Sequence, residues 1–83
     1  MDADEVFSTF QDAAAEVLGV EPAEVTREAR FKEDLKADSL DLVELVMALE
    51  ERLDITVPEE DLEEVETVGD ALKVVLDKVA ART

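Results

Sequence analysis

Few residues of this chain have side chains that could do chemistry, and Ser39 is the most prominent of them. It lies in the run KADSLDLVELVMALEERLD, between Asp38 and Leu40, where a polar stretch gives way to helical periodicity. A serine hydroxyl becomes a nucleophile only when a neighbouring base takes its proton. The chain contains no histidine and no cysteine, so it has no Ser-His-Asp relay, no thiol nucleophile, no disulfide and no zinc site of the usual N/S kind. No catalytic residue is expected, and no metal ligand set either. If Ser39 reacts, another enzyme must activate it. Its plain structural role is capping, because Ser and Asp are both favoured N-caps and either Asp38 or Ser39 can satisfy free backbone N–H groups. A hydroxyl at a helix N-terminus is also well placed to bear a phosphate ester, since the dipole and backbone donors favour an anion there. Asp38 and Asp41 oppose such a charge and make better sense as capping or partner-contact groups. Ser8, the other serine, falls inside a helical pattern without this context.

The helix that Ser39 heads carries two apolar stripes. Advancing about 100° per residue, Leu42, Leu45, Val46, Leu49 and Leu53 gather on one side as ordinary core. Roughly opposite lie Leu40, Val43 and Met47, interleaved with Glu44, Glu51 and Asp54, with Asp41 and Glu50 further round. Scattered exposed apolar residues are common and often carry no meaning. The alternative is a docking strip, in which an adaptable Met rimmed by carboxylates meets several basic partners in turn.

The remaining elements must hold this helix in place. Val6, Phe10, Ala13, Ala14 and Val17, widened by Phe7 and Leu18, predict a first helix starting near Asp2 or Asp4 and stopping at Gly19. Thr67 can cap a last helix whose Val68, Ala71, Leu72, Val75, Leu76 and Val79 form one stripe, with Asp70 in its first turn. Between Pro58 and Val65 a short acidic helix is expected, anchored only by Leu62 and Val65 and the least stable element. Residues 19–38 lack periodicity, yet Val20, Val25, Phe31 and Leu35 are spaced to pin an ordered crossover onto the core. The expected fold is therefore all-α: a small bundle of three main helices plus one short helix, with a long loop between helices one and two. No strand, repeat or low-complexity segment is expected.

Composition bounds the rest. A chain of 83 residues with 47% hydrophobic side chains is expected to form one domain over residues 1–83. Twenty-four acidic residues against 8 basic ones give a formal net charge of -16, which argues against nucleic acid and for basic protein partners. Like-charge repulsion also favours a monomer. No run approaches the roughly 20 apolar residues of a membrane span, and the acidic start MDADEVF is unlike a secretory signal, so a soluble, cytoplasmic protein is expected.

The run EDLKADSLDLVELVMALEERLDITVPEEDLEEVETVGDAL closely resembles the central and C-terminal parts of acyl carrier proteins, whose hallmark is D-S-L at the head of helix two. The likeness extends over roughly Val6 to Val79 and is greatest to the discrete carriers of bacterial type II fatty acid synthesis. It implies that Ser39 receives 4′-phosphopantetheine from coenzyme A through a phosphopantetheinyl transferase, the Mg-dependent holo-carrier synthase, and that the arm's thiol carries acyl groups as thioesters. The missing cysteine fits that reading, because the reactive sulfur would belong to the prosthetic group. The resemblance further implies that Asp38, Asp41, Glu44, Met47, Glu50 and Glu51 meet basic-surfaced acyl-processing enzymes, with Leu40, Val43 and Val57 as apolar contacts. Phe31, Leu45, Leu49, Leu53, Val65, Val68, Ala71 and Val75 match positions lining an acyl cavity, though each also serves as an ordinary core residue. One departure stands out: the family often has Gly two residues before the D of D-S-L, and this chain has Lys36. The resemblance therefore does not carry glycine's backbone geometry over to this position. Two other readings remain open: a carrier for a polyketide or other specialised acyl or aminoacyl pathway, and an acidic, non-catalytic interaction module. The absence of a D-x-D-x-D-G loop argues against a calcium sensor.

Overall fold

The computed structural model describes residues 2–81. Three α-helices, α1 (Ala3–Leu18), α2 (Ser39–Leu53) and α3 (Val68–Ala81), form the bundle, joined by a long crossover and a shorter acidic connection. The stripes predicted for them face the core: Val6, Phe10, Ala13 and Ala14 on α1, Leu45, Val46, Leu49 and Leu53 on α2, and Val68, Ala71, Leu72, Val75 and Val79 on α3 are buried, while Val17, Leu42 and Leu76 are half-buried at the edge. An ion pair between Arg52 and Glu16 ties α2 to α1 at the surface.

Each helix end is closed by the groups at hand. Asp2 caps α1 by accepting the Glu5 N–H at 2.9 Å. Gly19 ends α1 in the left-handed region at φ 70°, where its own N–H donates to the Ala15 carbonyl. At α3 the cap is reciprocal: the Asp70 N–H donates to Thr67 Oγ1 at 3.1 Å, and Asp70 Oδ2 accepts the N–H groups of Thr67 (3.2 Å) and Glu66 (3.1 Å). The bonds from the Glu66 and then the Thr67 backbone hold the Asp70 carboxyl below its ordinary value.

The crossover is ordered by its anchors. Val25, Phe31 and Leu35 are buried as their spacing predicts, Val20 is half-buried, and Ala29 and Ala37 join them in the core. Phe31 meets Phe10 of α1 with ring centroids 6.4 Å apart. A 3-10 turn at Pro22–Glu24 is held to α1 by Gln11, whose Nε2 donates to the Pro22 and Val25 carbonyls at 3.3 and 3.1 Å. The crossover also supplies acceptors for the start of α3: Ala29 O takes the Val68 N–H, and Arg27 O takes the Gly69 N–H, both at 2.9 Å. A Cβ at Gly69 would stand 3.0 Å from the Arg27 oxygen, a tight contact that the Arg27 backbone would have to yield to by a few tenths of an ångström. An isolated antiparallel bridge, Arg30 to Thr67, accompanies this seam and no strand develops from it.

The short acidic element between Pro58 and Val65 takes the form of a four-residue 3-10 turn, Glu59–Leu62. With only Leu62 and Val65 half-buried, too little apolar surface is present to support a longer α-helix.

Candidate functional site

The head of α2 divides its work between two adjacent residues. Asp38 is the N-cap: its Oδ1 accepts the Asp41 N–H at 2.9 Å, and Asp41 Oδ2 in turn accepts the Asp38 N–H at 3.3 Å. This capping box occupies both carboxylates on the helix's own backbone. Ser39 follows as the first helical residue, and it is exposed. Among the described residues its hydroxyl has no hydrogen-bond partner. Of the two residues able to cap, Asp38 does so, and the serine oxygen is left pointing to reagents from outside.

The approach to this point is a tight turn. Arg30 N–H donates to Asp34 Oδ2 at 2.8 Å, and the Arg30 carbonyl accepts from the amides of Asp34 and Leu35. Leu35 and Ala37 are buried on either side of Lys36, and the Ala37 N–H donates to the Phe31 carbonyl at 2.7 Å. Reversing the chain between two buried neighbours puts Lys36 at φ 58°. The left-handed geometry that glycine favours is thus present without the glycine, and the lysine side chain stays in solvent.

Beside Ser39 opens a cleft of about 410 Å³ between the 30–39 segment and residues 63–66. Phe31, Ala37, Leu42 and Val65 supply apolar wall, and Arg30 and Lys32 bring cations to a rim that also bears Glu33, Glu63 and Glu66. Of the eight residues matched to an acyl cavity, Phe31 and Val65 line this cleft. Leu45, Leu49, Leu53, Val68, Ala71 and Val75 lie in the packed core instead. Ala37 and Leu42 also form wall, beyond the positions that the resemblance implies. Leu42 could have been found, since it stands one turn after Ser39 on the same helix, whereas the loop residues Arg30, Lys32 and Ala37 carry no periodic signal.

The second stripe of α2 is exposed: Leu40 at 64%, Val43 at 37% and Met47 at 59%. Glu44, Met47 and Glu51 share a shallow concavity of about 490 Å³ with Ala48 and Glu50. Besides Asp38 and Asp41, each of which spends one carboxylate oxygen on the capping box, two more of the expected partner contacts are otherwise engaged. Val57 is buried at 7% exposure, and its N–H donates to Glu50 Oε2 at 2.9 Å, so Val57 does not stand on the strip and the Glu50 carboxylate is turned partly inward. Among the described residues no group of His, Cys, Asp or Glu is arranged to hold a metal ion.

The geometry fits a covalently attached, extended polar arm: one unencumbered hydroxyl, a helix N-terminus to face its phosphate, and a cleft of mixed lining beside it. Comparison with known proteins agrees. Residues 8–75 match the family described as the phosphopantetheine attachment site. An acyl carrier protein of Rubrobacter xylanophilus is 47% identical over 81 residues, spanning 98% of this chain and 100% of that one. Those of Wolinella succinogenes and a Sulfurovum species are 49% and 50% identical over 70 residues, covering 84% of this chain and 92% and 93% of theirs. Among solved structures, the acyl carrier protein of Enterococcus faecalis superposes with a TM-score of 0.74 at 31% identity, covering 94% of this chain and 99% of that one. The fold and the site define a helical carrier domain with a phosphopantetheine cofactor. The chain belongs to the acyl carrier protein family, and its function is that of an acyl carrier.

Proposed function

We propose that Ser39 bears the 4′-phosphopantetheine arm and that the protein carries the acyl intermediates of fatty acid synthesis in the cytoplasm as a monomeric, single-domain carrier. The observation that carries this reading is the free, exposed Ser39 hydroxyl beside an Asp38 that does the capping. When attached, the arm supplies a thiol for thioester linkage, a group absent from the chain's own side chains. The first turn of α2 offers its positive dipole end to the phosphate. Arg30 and Lys32 on the cleft rim partly offset the acidic surroundings. Phe31, Leu42 and Val65 give apolar cargo a sheltered wall, each buried methylene contributing up to about 0.8 kcal/mol.

The chain itself does not catalyse. With no His or Cys and no base on Ser39, it is a substrate of a phosphopantetheinyl transferase and afterwards a cofactor-bearing partner of acyl-processing enzymes. Leu40, Val43 and Met47, rimmed by Glu44 and Glu51, form the surface such enzymes grip through basic patches of their own. The acidity of α2 favours fatty acid synthesis over a carrier for peptide synthesis. Reconstitution tests this: purified bacterial type II fatty acid synthesis enzymes, malonyl and acetyl donors and the arm-bearing protein should yield saturated chains growing by two carbons, read by mass spectrometry. Attachment of the arm without any elongation would favour the specialised acyl pathways instead.

A further inference from the structure

Residues 58–65 cross one side of the Ser39 cleft as a strap fixed at both ends. Before it, Glu50 takes the Ile55 amide on its carbonyl at 3.1 Å and the Val57 amide on its carboxylate at 2.9 Å. After it, the Glu66 carbonyl accepts the Phe31 N–H at 3.1 Å, and the Glu66 N–H donates to Asp70. Between those pins the backbone bonds are local, Asp61 N–H to Pro58 O at 3.0 Å and Val65 N–H to Leu62 O at 3.2 Å. Leu62 and Val65 rest half-buried against the core. Among the described residues the one polar tie from the strap to another element is the ion pair of Asp61 Oδ2 with Lys78 Nζ of α3, at 3.0 Å and with both side chains about one-third exposed. Five carboxylates, Glu59, Glu60, Asp61, Glu63 and Glu64, crowd this short segment, and Lys78 is the cation that meets them. Without it the strap's mutual repulsion is faced only by Arg30 and Lys32 across the cleft from Glu63.

We propose that the Asp61–Lys78 pair is a latch that sets how readily the strap lifts from the core, and through it the length of linear acyl chain the cleft admits. The admission of cargo rests on the carrier reading above; the latch itself does not. Glu63 and Val65 belong both to the strap's C-terminal half and to the cleft wall, so lifting the strap widens the cleft at the point where a chain extending from Ser39 would enter. Partial burial makes the pair more effective than a fully solvated one while leaving it breakable.

Hydrogen exchange on the unloaded full-length protein tests the latch without cargo. Asp61→Asn and Lys78→Met should each speed exchange of the Val65 amide about two- to fivefold, as expected for losing a pair of this exposure, while core amides of α1 and α2 keep their rates. The charge-swapped double variant, Asp61→Lys with Lys78→Asp, should return the Val65 rate toward wild type. An unchanged Val65 rate, or an equal rise across α1 and α2, overturns the latch. Loading wild-type protein with an octanoyl arm should speed Val65 exchange, because the chain enters by lifting the strap, and the single variants should accept longer chains with a smaller further rise. If loading leaves the strap's exchange unaltered while the unloaded variants respond as described, the latch stands and its control of cargo is overturned.

Discussion

Ser39 and Asp38 are neighbours in sequence with opposite tasks, and the geometry of one helical turn separates them. The N-cap residue turns its side chain back onto the helix's free N–H groups, so its oxygen is spent on the fold. The next residue has no such duty, and the Ser39 oxygen remains free. Lys36 brings the chain to that point at a cost. A non-glycine residue in the left-handed region costs about 1–2 kcal/mol, and glycine's extra freedom in the unfolded chain offsets about 0.5–1 kcal/mol of any relief. Lys36→Gly should therefore stabilise the protein by about 0.5–1 kcal/mol in urea unfolding, and equal or lower stability would show that the strain at this turn is no larger than glycine's entropic offset. The lysine itself does not announce this turn, because it has no preference for positive φ; only the glycine that the family often has here points to it, and Leu35 and Ala37 are buried on either side. The Val57 amide on the Glu50 carboxylate was equally illegible, since a side chain reaching a backbone N–H seven residues away leaves no periodic trace. The exposed Leu40, Val43 and Met47 could be read directly, because a helix has one buried face and these lie on the other.

At the scale of elements, caps decide where helices begin. The Thr67–Asp70 cap closes the start of α3, beside the Val68 and Gly69 amides that bond the Ala29 and Arg27 carbonyls of the crossover. Thr67→Ala should cost about 1 kcal/mol across the pH range. Asp70→Asn should behave differently. The Asp70 carboxyl is held below its ordinary value of 3.8, so its ionised form stabilises the folded state. That contribution is complete above the unfolded value and disappears as pH falls through the lower, folded one. The stability gap between wild type and Asp70→Asn, followed by thermal unfolding, should be constant near neutrality and close in acid. A gap that persists in strong acid would mean the charge is not what the cap uses. The three long helices were legible because their stripes run for several turns. The 58–65 segment was legible as a weak element, though not as a 3-10 turn, because two apolar residues do not define a period.

Taken whole, the molecule is a small core inside an acidic shell, with a charge of -16 over 83 residues. Such a field draws basic surfaces from a distance and repels further copies of the chain. The positive ends of Arg30 and Lys32 interrupt it at the rim of the cleft, beside the one serine at a helix head. No helix among the described residues is long and apolar enough to cross a membrane. The sharpest test weighs the intact protein. After incubation with coenzyme A, magnesium and a phosphopantetheinyl transferase, wild type and Ser8→Ala should each gain the mass of a single arm, and Ser39→Ala should gain none. An arm on Ser39→Ala, or none on wild type, would contradict the account.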